Sequence, residues 1–277
     1  PGVVRVVSTG RTSFADRPCE EGAEGSAGEA AATVSVVVAL NSALASPPTA
    51  ALTARRDATL SGTAVTLVNT DASTSGATTR VGRTLSVTST TFTRHTLPGT
   101  PGGQSSILDT QLGGLSAADV FKLLTRMPLA TYKDQPASIV VDCSTDCANR
   151  LSNAVQGNPG RIVWVDGDAN LSTSVSLGTD GEPAMVVVNG DVTFTGTNVD
   201  IVGLLYAQSD ITISGTNLRV RGAVVAARDI VRSGTDTTIE YNPRHLTQPN
   251  LIPPVLTQLR LSSGSLVRVP GSWRDFP

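Results

Sequence analysis

The chain of 277 residues carries a formal net charge of −2, with 16% charged and 4% aromatic residues. This balance leaves no basic excess to neutralise phosphates, which argues against a general nucleic-acid binder, and no apolar run reaches the roughly 18 residues that a membrane span needs. The apolar 39% is almost all Val, Ala, Leu and Ile, so a core must be filled by aliphatic side chains, and abundant Thr and Gly point to strands and turns.

In chain order, residues 3–11 and 32–40 are rich in β-branched side chains and predict two strands, paired as a hairpin or as antiparallel neighbours. The Gly/Glu/Ala-rich stretch 20–31 between them reads as a mobile link. Residues 54–67 and 80–87 read as further short strands broken at glycine. Residues 97–107, rich in Pro, Gly and Ser, read as loop. Ser116 ahead of Ala117-Ala118-Asp119 is an N-cap signature and predicts a helix over 116–127, ended near Met127-Pro128. Residues 138–142 predict a strand, and 146–155 a second short helix. The expected organisation is a strand pair with linker over 1–48 and a main domain over 49–277. That domain contains a helical insertion, 97–160, and a C-terminal capping segment, 242–277. Within the capping segment, Trp273 and Phe276 are expected to plug one end or to contact another chain, since repeat arrays need capped ends.

The second half contains an internal repeat. Asp191, Asp210 and Asp229 recur every 19 residues, and five residues after each stands Gly196, Gly215 or Gly234, each followed by Thr. Val192, Ile211 and Ile230 share one position; Val199 and Leu218 share another; Ile201, Val220 and Ile239 share a third. An earlier copy centres on Asp168, its extra residues falling in the turn 179–183. The pattern recurs far upstream: 54–63 parallels 226–235, which aligns Asp57 with Asp229 and Gly62 with Gly234. A unit of this length is too short for a helical hairpin and suits one coil of a β-solenoid, with coils ~4.8 Å apart pairing as parallel strands. The fold expected is therefore mainly β: a short right-handed parallel β-solenoid of about 19-residue coils, with a small helical insertion and an N-terminal strand pair. Residues 49–92 are expected to join the same stack as 161–241. Glycine at each corner would supply a positive φ or a close approach.

Three cysteines are present: Cys19, Cys143 and Cys147. Cys143 and Cys147 are a candidate disulfide of an exported protein. Zinc would need about four ligands, and only His95 and His245 could assist. Cys19 is left buried and inert or paired between chains.

Several stretches resemble the PilX-type minor pilins of type IV pilus assembly. They are Val6-Val7-Ser8-Thr9-Gly10-Arg11 followed by Ala31-Ala32-Thr33-Val34; residues 161–171 with 183–192; Gly203-Leu204-Leu205-Tyr206; and the tail 269–276. The resemblance covers most of the chain apart from the insertion. It implies an extracellular or cell-surface subunit of a bacterial pilus, with other pilus subunits or copies of itself as partners and adhesion among its possible roles. It also implies a hydrophobic helix upstream of Pro1.

The repeated Asp residues are the candidate site. Stacked in one column, they would repel unless satisfied, and each is expected to accept backbone N–H bonds in an Asx-type turn. Calcium would need six to eight oxygens, and a glycosidase would need two carboxyls converging in a cleft. No catalytic, cofactor or metal residues are assigned, and no enzyme activity is expected. His95 and His245 are expected at the surface or in turns, and Trp164 in packing. Arg80, Arg83, Arg219, Arg221, Arg228 and Arg232 read as a scattered positive set. Against the pilus reading stand two rivals. One is a self-polymerising bactofilin-like filament, which would need its end coils open. The other is a surface protein that binds or cleaves carbohydrate, which would need a groove with carboxylates and aromatics.

Overall fold

The computed structural model describes residues 3–12, 30–40, 43–135, 137–247, 266–268 and 274–276. The chain divides into two compact units, residues 1–41 with 265–277, and residues 42–264.

In the smaller unit, β1 (Val3–Thr12) and β2 (Ala30–Leu40) pair antiparallel with Val3 opposite Ala39 and Thr12 opposite Ala30. The stretch 13–29, which contains Cys19 and most of the 20–31 link, lies outside the described residues, as does Trp273.

The larger unit is mainly β, with parallel sheets. Its first strands come in two successive groups of three: β3 (Leu52–Ala54), β4 (Ala58–Leu60) and β5 (Val65–Asn69), then β6 (Thr79–Val81), β7 (Leu85–Val87) and β8 (Phe92–Thr96). There follow α1 (Gly102–Ser105), β9 (Ser106–Leu108), α2 (Thr110–Gly114), α3 (Ala117–Thr125), α4 (Leu129–Lys133), β10 (Ser138–Val141) and α5 (Cys147–Gly157). The repeat then supplies β11 (Ile162–Asp166), β12 (Ala169–Leu171) and β13 (Val175–Leu177), followed by β14 (Ala184–Asn189), β15 (Val192–Phe194) and β16 (Thr197–Ala207). It closes with β17 (Ile211–Ile213), β18 (Thr216–Ala226), β19 (Ile230–Arg232) and β20 (Thr235–Tyr241), and α6 (Pro243–Thr247) ends the unit's described part. The last two described strands of the chain, β21 (Leu266–Arg268) and β22 (Arg274–Phe276), pair antiparallel with β2.

That last pairing corrects the expected role of 242–277 as one capping segment of the main domain. β2 pairs with β1 along one edge, and the tail, including Phe276 opposite Thr33, joins it along the other. The boundary at 48 also moves, because Ala43 and Leu44 are buried in the core of the larger unit. Within the insertion the strand expected over 138–142 is present as β10, paired with β11, whereas β9, at the end of the stretch read as loop, pairs with β6.

Two parallel sheets, of twelve and six strands, carry the larger unit. The 19-residue period appears directly as register. Val192, Ile211 and Ile230 are cross-strand partners, as are Val199 with Leu218, and Ile201 with Val220 and Ile239. Their side chains are at most 4% exposed. The upstream copy continues the stack in the register that its sequence implies: Ala226 pairs with Ala54, Ile230 with Ala58, Thr237 with Val65 and Ile239 with Leu67.

The order of stacking differs from the order of the chain. The rung β3–β4–β5 lies on the rung formed by the end of β18, β19 and β20, and β6–β7–β8 lies beyond it. Within the larger unit the chain therefore starts inside the stack and runs to one end. It crosses along the side through α2 on β6 and α4 on β10, then winds back from the other end until it meets its own start. The meeting place is a seam between residues about 170 apart in sequence, as in the bond from the Asp57 N–H to Asp229.

The crossing segment explains why part of the twelve-stranded sheet is apolar on both faces. Met185–Val188 and Val202–Ala207 are continuously buried, the pattern of a parallel strand covered on two sides, whereas β15 and β17 alternate between buried and half-buried residues. Phe121 of α3 sits edge-on to Tyr132, Trp164 and Tyr206, with ring centroids 5.1, 6.2 and 5.0 Å away. The Tyr132 hydroxyl donates to the Ala43 carbonyl at 2.6 Å. Burial raises the Tyr132 and Tyr206 phenols well above their ordinary range.

Candidate functional site

The repeated aspartates form one continuous column. Each Oδ1 accepts the backbone N–H of the equivalent residue in the next rung: Asp168 from Asp191 at 2.8 Å, Asp191 from Asp210 at 2.9 Å, and Asp210 from Asp229 at 3.0 Å. The column crosses the seam, where Asp229 accepts from Asp57 at 3.0 Å, and ends where Asp57 accepts from Thr84 at 3.0 Å. The expected partner type, a backbone N–H, is present, but it comes from the neighbouring rung and not from the Asp's own turn. Hydrogen bonds to a charged acceptor are the stronger kind, about 1.5–3 kcal/mol each. Arginines one residue before the repeat position add charge: Arg228 lies 3.7 Å from Asp210, and Arg56 lies 3.4 Å from Asp229. The carboxylates are thus held apart by the backbone and partly neutralised, an arrangement suited to stacking.

The glycine column is set by close approach. A Cβ on Gly215 would stand 2.1 Å from the Gly196 carbonyl oxygen, one on Gly234 2.0 Å from that of Gly215, and one on Gly62 2.3 Å from that of Gly234. Those carbonyls accept the N–H groups of Thr216, Thr235 and Thr63. Only Gly62 of this column has a positive φ, +83°, so proximity and not backbone conformation fixes the residue type at the others.

Two features of the repeat were not read from the sequence. Asn198, Asn217 and Asp236 share one repeat position, seven residues after each Asp, and all are left-handed with φ of 58°, 57° and 48°. The Asn217 amide donates to the Asn198 Oδ1 at 2.6 Å. The recurrence of Asn and Asp at one offset was the available signal. The second feature is Arg232, which belongs to no surface set: it is fully buried, in the column of Leu60, Phe194 and Ile213. Its guanidinium donates across the seam to the carbonyls of Ser61, Thr63 and Ala64 and, within its own rung, to the Thr237 hydroxyl. Burial lowers its pKa from the ordinary arginine value. The carbonyls answer the desolvation of the charge, and they lie too far away in sequence for any local pattern to signal them.

Other polar groups are tied structurally. Arg221 pairs with Asp180 at 2.7 Å and with Asp200 at 3.3 Å. His245, expected at the surface or in a turn, lies in α6 and is only 5% exposed, with Nδ1 3.1 Å from the Arg221 carbonyl and Nε2 3.1 Å from Asp180. His95 is exposed on β8, and Trp164 is buried with its Nε1 donating to Asp166 at 2.9 Å. Cys143 and Cys147 are joined, S–S 2.05 Å, at the start of α5. A cavity of about 160 Å³ lies beside them, lined by 143–148 with Asn170, Ser172 and Thr173. Among the described residues, no group of three or more His, Cys, Asp or Glu side chains gathers to hold a metal ion, and no helix is long and apolar enough to cross a membrane.

No protein-family model, curated protein or solved structure matches the chain.

Proposed function

We propose that the two sheets of the larger unit wind as a short right-handed solenoid of about 19 residues per coil. We further propose that the protein is a structural, non-catalytic component of a type IV pilus or pilus-like filament outside the cell. Its partners in this reading are other subunits or copies of itself. The observation that carries the reading is the use made of the repeated carboxylates. From Asp168 to Asp57 each holds the next rung by its backbone, so the most regular chemistry in the chain serves stacking. The resemblance to PilX-type minor pilins supplies the filament, and the Cys143–Cys147 disulfide suits an oxidising, extracellular setting. End-to-end polymerisation of the bactofilin kind fits less well, because α5 packs on β12 and β13 at one end of the stack. The test is to shear surface filaments from the organism that encodes the chain and probe them with an antibody against residues 42–264. Recovery in the filament fraction, with fewer filaments on a deletion strain, is the expected result. Confinement to the cytoplasmic fraction, with unchanged filaments on deletion, would overturn the reading.

A further inference from the structure

The Cys143–Cys147 disulfide is poorly placed to act as a staple. It joins residues four apart in sequence, within one continuous segment at the entry of α5, so the ring it closes constrains the unfolded chain little. Its surroundings suit a reactive bond better. Cys147 is the first residue of α5 and only 4% exposed, whereas Cys143 is half-buried, so the two sulfurs differ in access. Both cysteines line the cavity of about 160 Å³. Ser144, Thr145, Asn170, Ser172 and Thr173 of the same lining are exposed, so the cavity opens to solvent beside the bond. Asp146 precedes α5, but its carboxylate does not cap the helix: it accepts from the Asn149 side-chain amide at 2.9 and 3.0 Å. The first turn, which Cys147 begins, therefore has no carboxylate acceptor from its own cap residue. A thiolate at a helix N-terminus is stabilised, and a stabilised thiolate is the faster leaving group.

We propose that this bond is a thiol–disulfide exchange site whose substrate is a dithiol. A thiolate of the dithiol attacks Sγ of Cys143, the more accessible sulfur. The Cys143–Cys147 bond breaks, its electron pair leaves on the Cys147 sulfur, and a mixed disulfide joins Cys143 to the dithiol. The second thiol of the dithiol, deprotonated to water, then attacks its own sulfur in that mixed disulfide and expels the Cys143 thiolate. The dithiol is oxidised by two electrons to a disulfide, and Cys143 and Cys147 take up two protons to end as thiols. The direction follows from access and leaving group together: attack on Cys147 would bring the incoming sulfur to the buried residue and expel the thiolate that lacks the helix terminus. The site lies on the helix that packs on β12 and β13, so exchange acts on the cover of one end of the stack. The inference does not rest on the pilus reading, since it needs only a dithiol within reach.

Two measurements on the full chain test it. In the first, dithiothreitol is added in native buffer and to the chain unfolded in urea, samples are quenched with acid, and peptide mapping follows the Cys143–Cys147 bond. Attack on the folded chain is expected to run within about a hundredfold of the unfolded rate, because the bond is already accessible. A slower native rate would mean that the bond opens only with the fold, and would overturn the inference. In the second, the chain is exposed briefly to the monothiol cysteamine, quenched with acid and mapped for the mixed disulfide. The adduct on Cys143 is expected to exceed that on Cys147 by about tenfold or more. Adducts shared evenly, or found mainly on Cys147, would overturn it.

Discussion

The glycine and arginine of the repeat illustrate two different residue-scale constraints. At Gly215 the neighbouring carbonyl leaves no room for a methyl group, so Gly215→Ala must push two rungs apart or break the bond from Thr216 to Gly196. The expected loss is about 2–3 kcal/mol, read as a lowered urea midpoint. Arg232→Ala should cost about 3 kcal/mol, because it removes a fully buried side chain together with its hydrogen bonds across the seam, leaving the Ser61 carbonyl without that donor while Thr63 and Ala64 keep the Ser89 hydroxyl and the Thr237 N–H. The same measurement on Arg219→Ala, an exposed residue in the same repeat, should show almost no change. Asp109 gives a pH dependence. Burial alone would raise its carboxyl, but the Leu112 N–H and the Arg80 guanidinium at 2.8 Å outweigh this and hold it below the usual carboxylate range. A depressed folded value means that its contribution is full above the unfolded pKa of about 3.9 and is lost as pH falls through the lower folded value. Asp109→Asn keeps the cap on α2 and should flatten that acid limb in a thermal-midpoint series.

At the scale of elements, what could be read from the sequence depended on whether the cause was local. The strands of the repeat were legible because period-two alternation and the 19-residue spacing both come from the stack itself, and β3 to β5 were assigned to it by the same pattern. The helix α3 was legible from Ser116, which accepts the Asp119 N–H. The strand β9 was not, since its partner is far away in sequence, as is that of the Asp109 N–H, which donates to the Val81 carbonyl at 2.7 Å; for the short helix α2 the local signal was Asp109, which caps it by accepting the Gln111 and Leu112 N–H groups. The tail strands were likewise invisible until β2 offered an edge. The cross-rung use of the aspartates was legible as a position but not as a partner, because sequence spacing does not say which rung donates the N–H. One prediction belongs here. The disulfide encloses few residues, so its effect on global stability should be small. It ties the entry of α5, however, and reduction, or Cys143→Ser with Cys147→Ser, should speed hydrogen exchange in 147–157 while leaving 184–241 unchanged.

For the larger unit as a whole, the out-of-order stack predicts how it tolerates a break. Residues 98–99 and 101–104 are exposed, between β8 and β9, and few of their groups are tied to the sheets. Cleavage there by a protease site inserted at 102 should leave both fragments associated under native conditions and separable in urea, because the N-terminal fragment is gripped by β18, β19 and β20. Elution of a fragment by itself from a native sizing column would contradict the topology.

The seam also has a consequence on the ribosome. Residues 52–96 leave the exit tunnel early, yet the strands they must lie against, 224–240, are made about 170 residues later. At ordinary elongation rates that is a wait of ~10–30 s, during which a bare strand edge faces every other nascent chain nearby. A slow stretch of translation between the two segments would lengthen the wait, and polysome crowding would raise the number of wrong partners. Among messages for chains of this size, this one should be unusually sensitive to both.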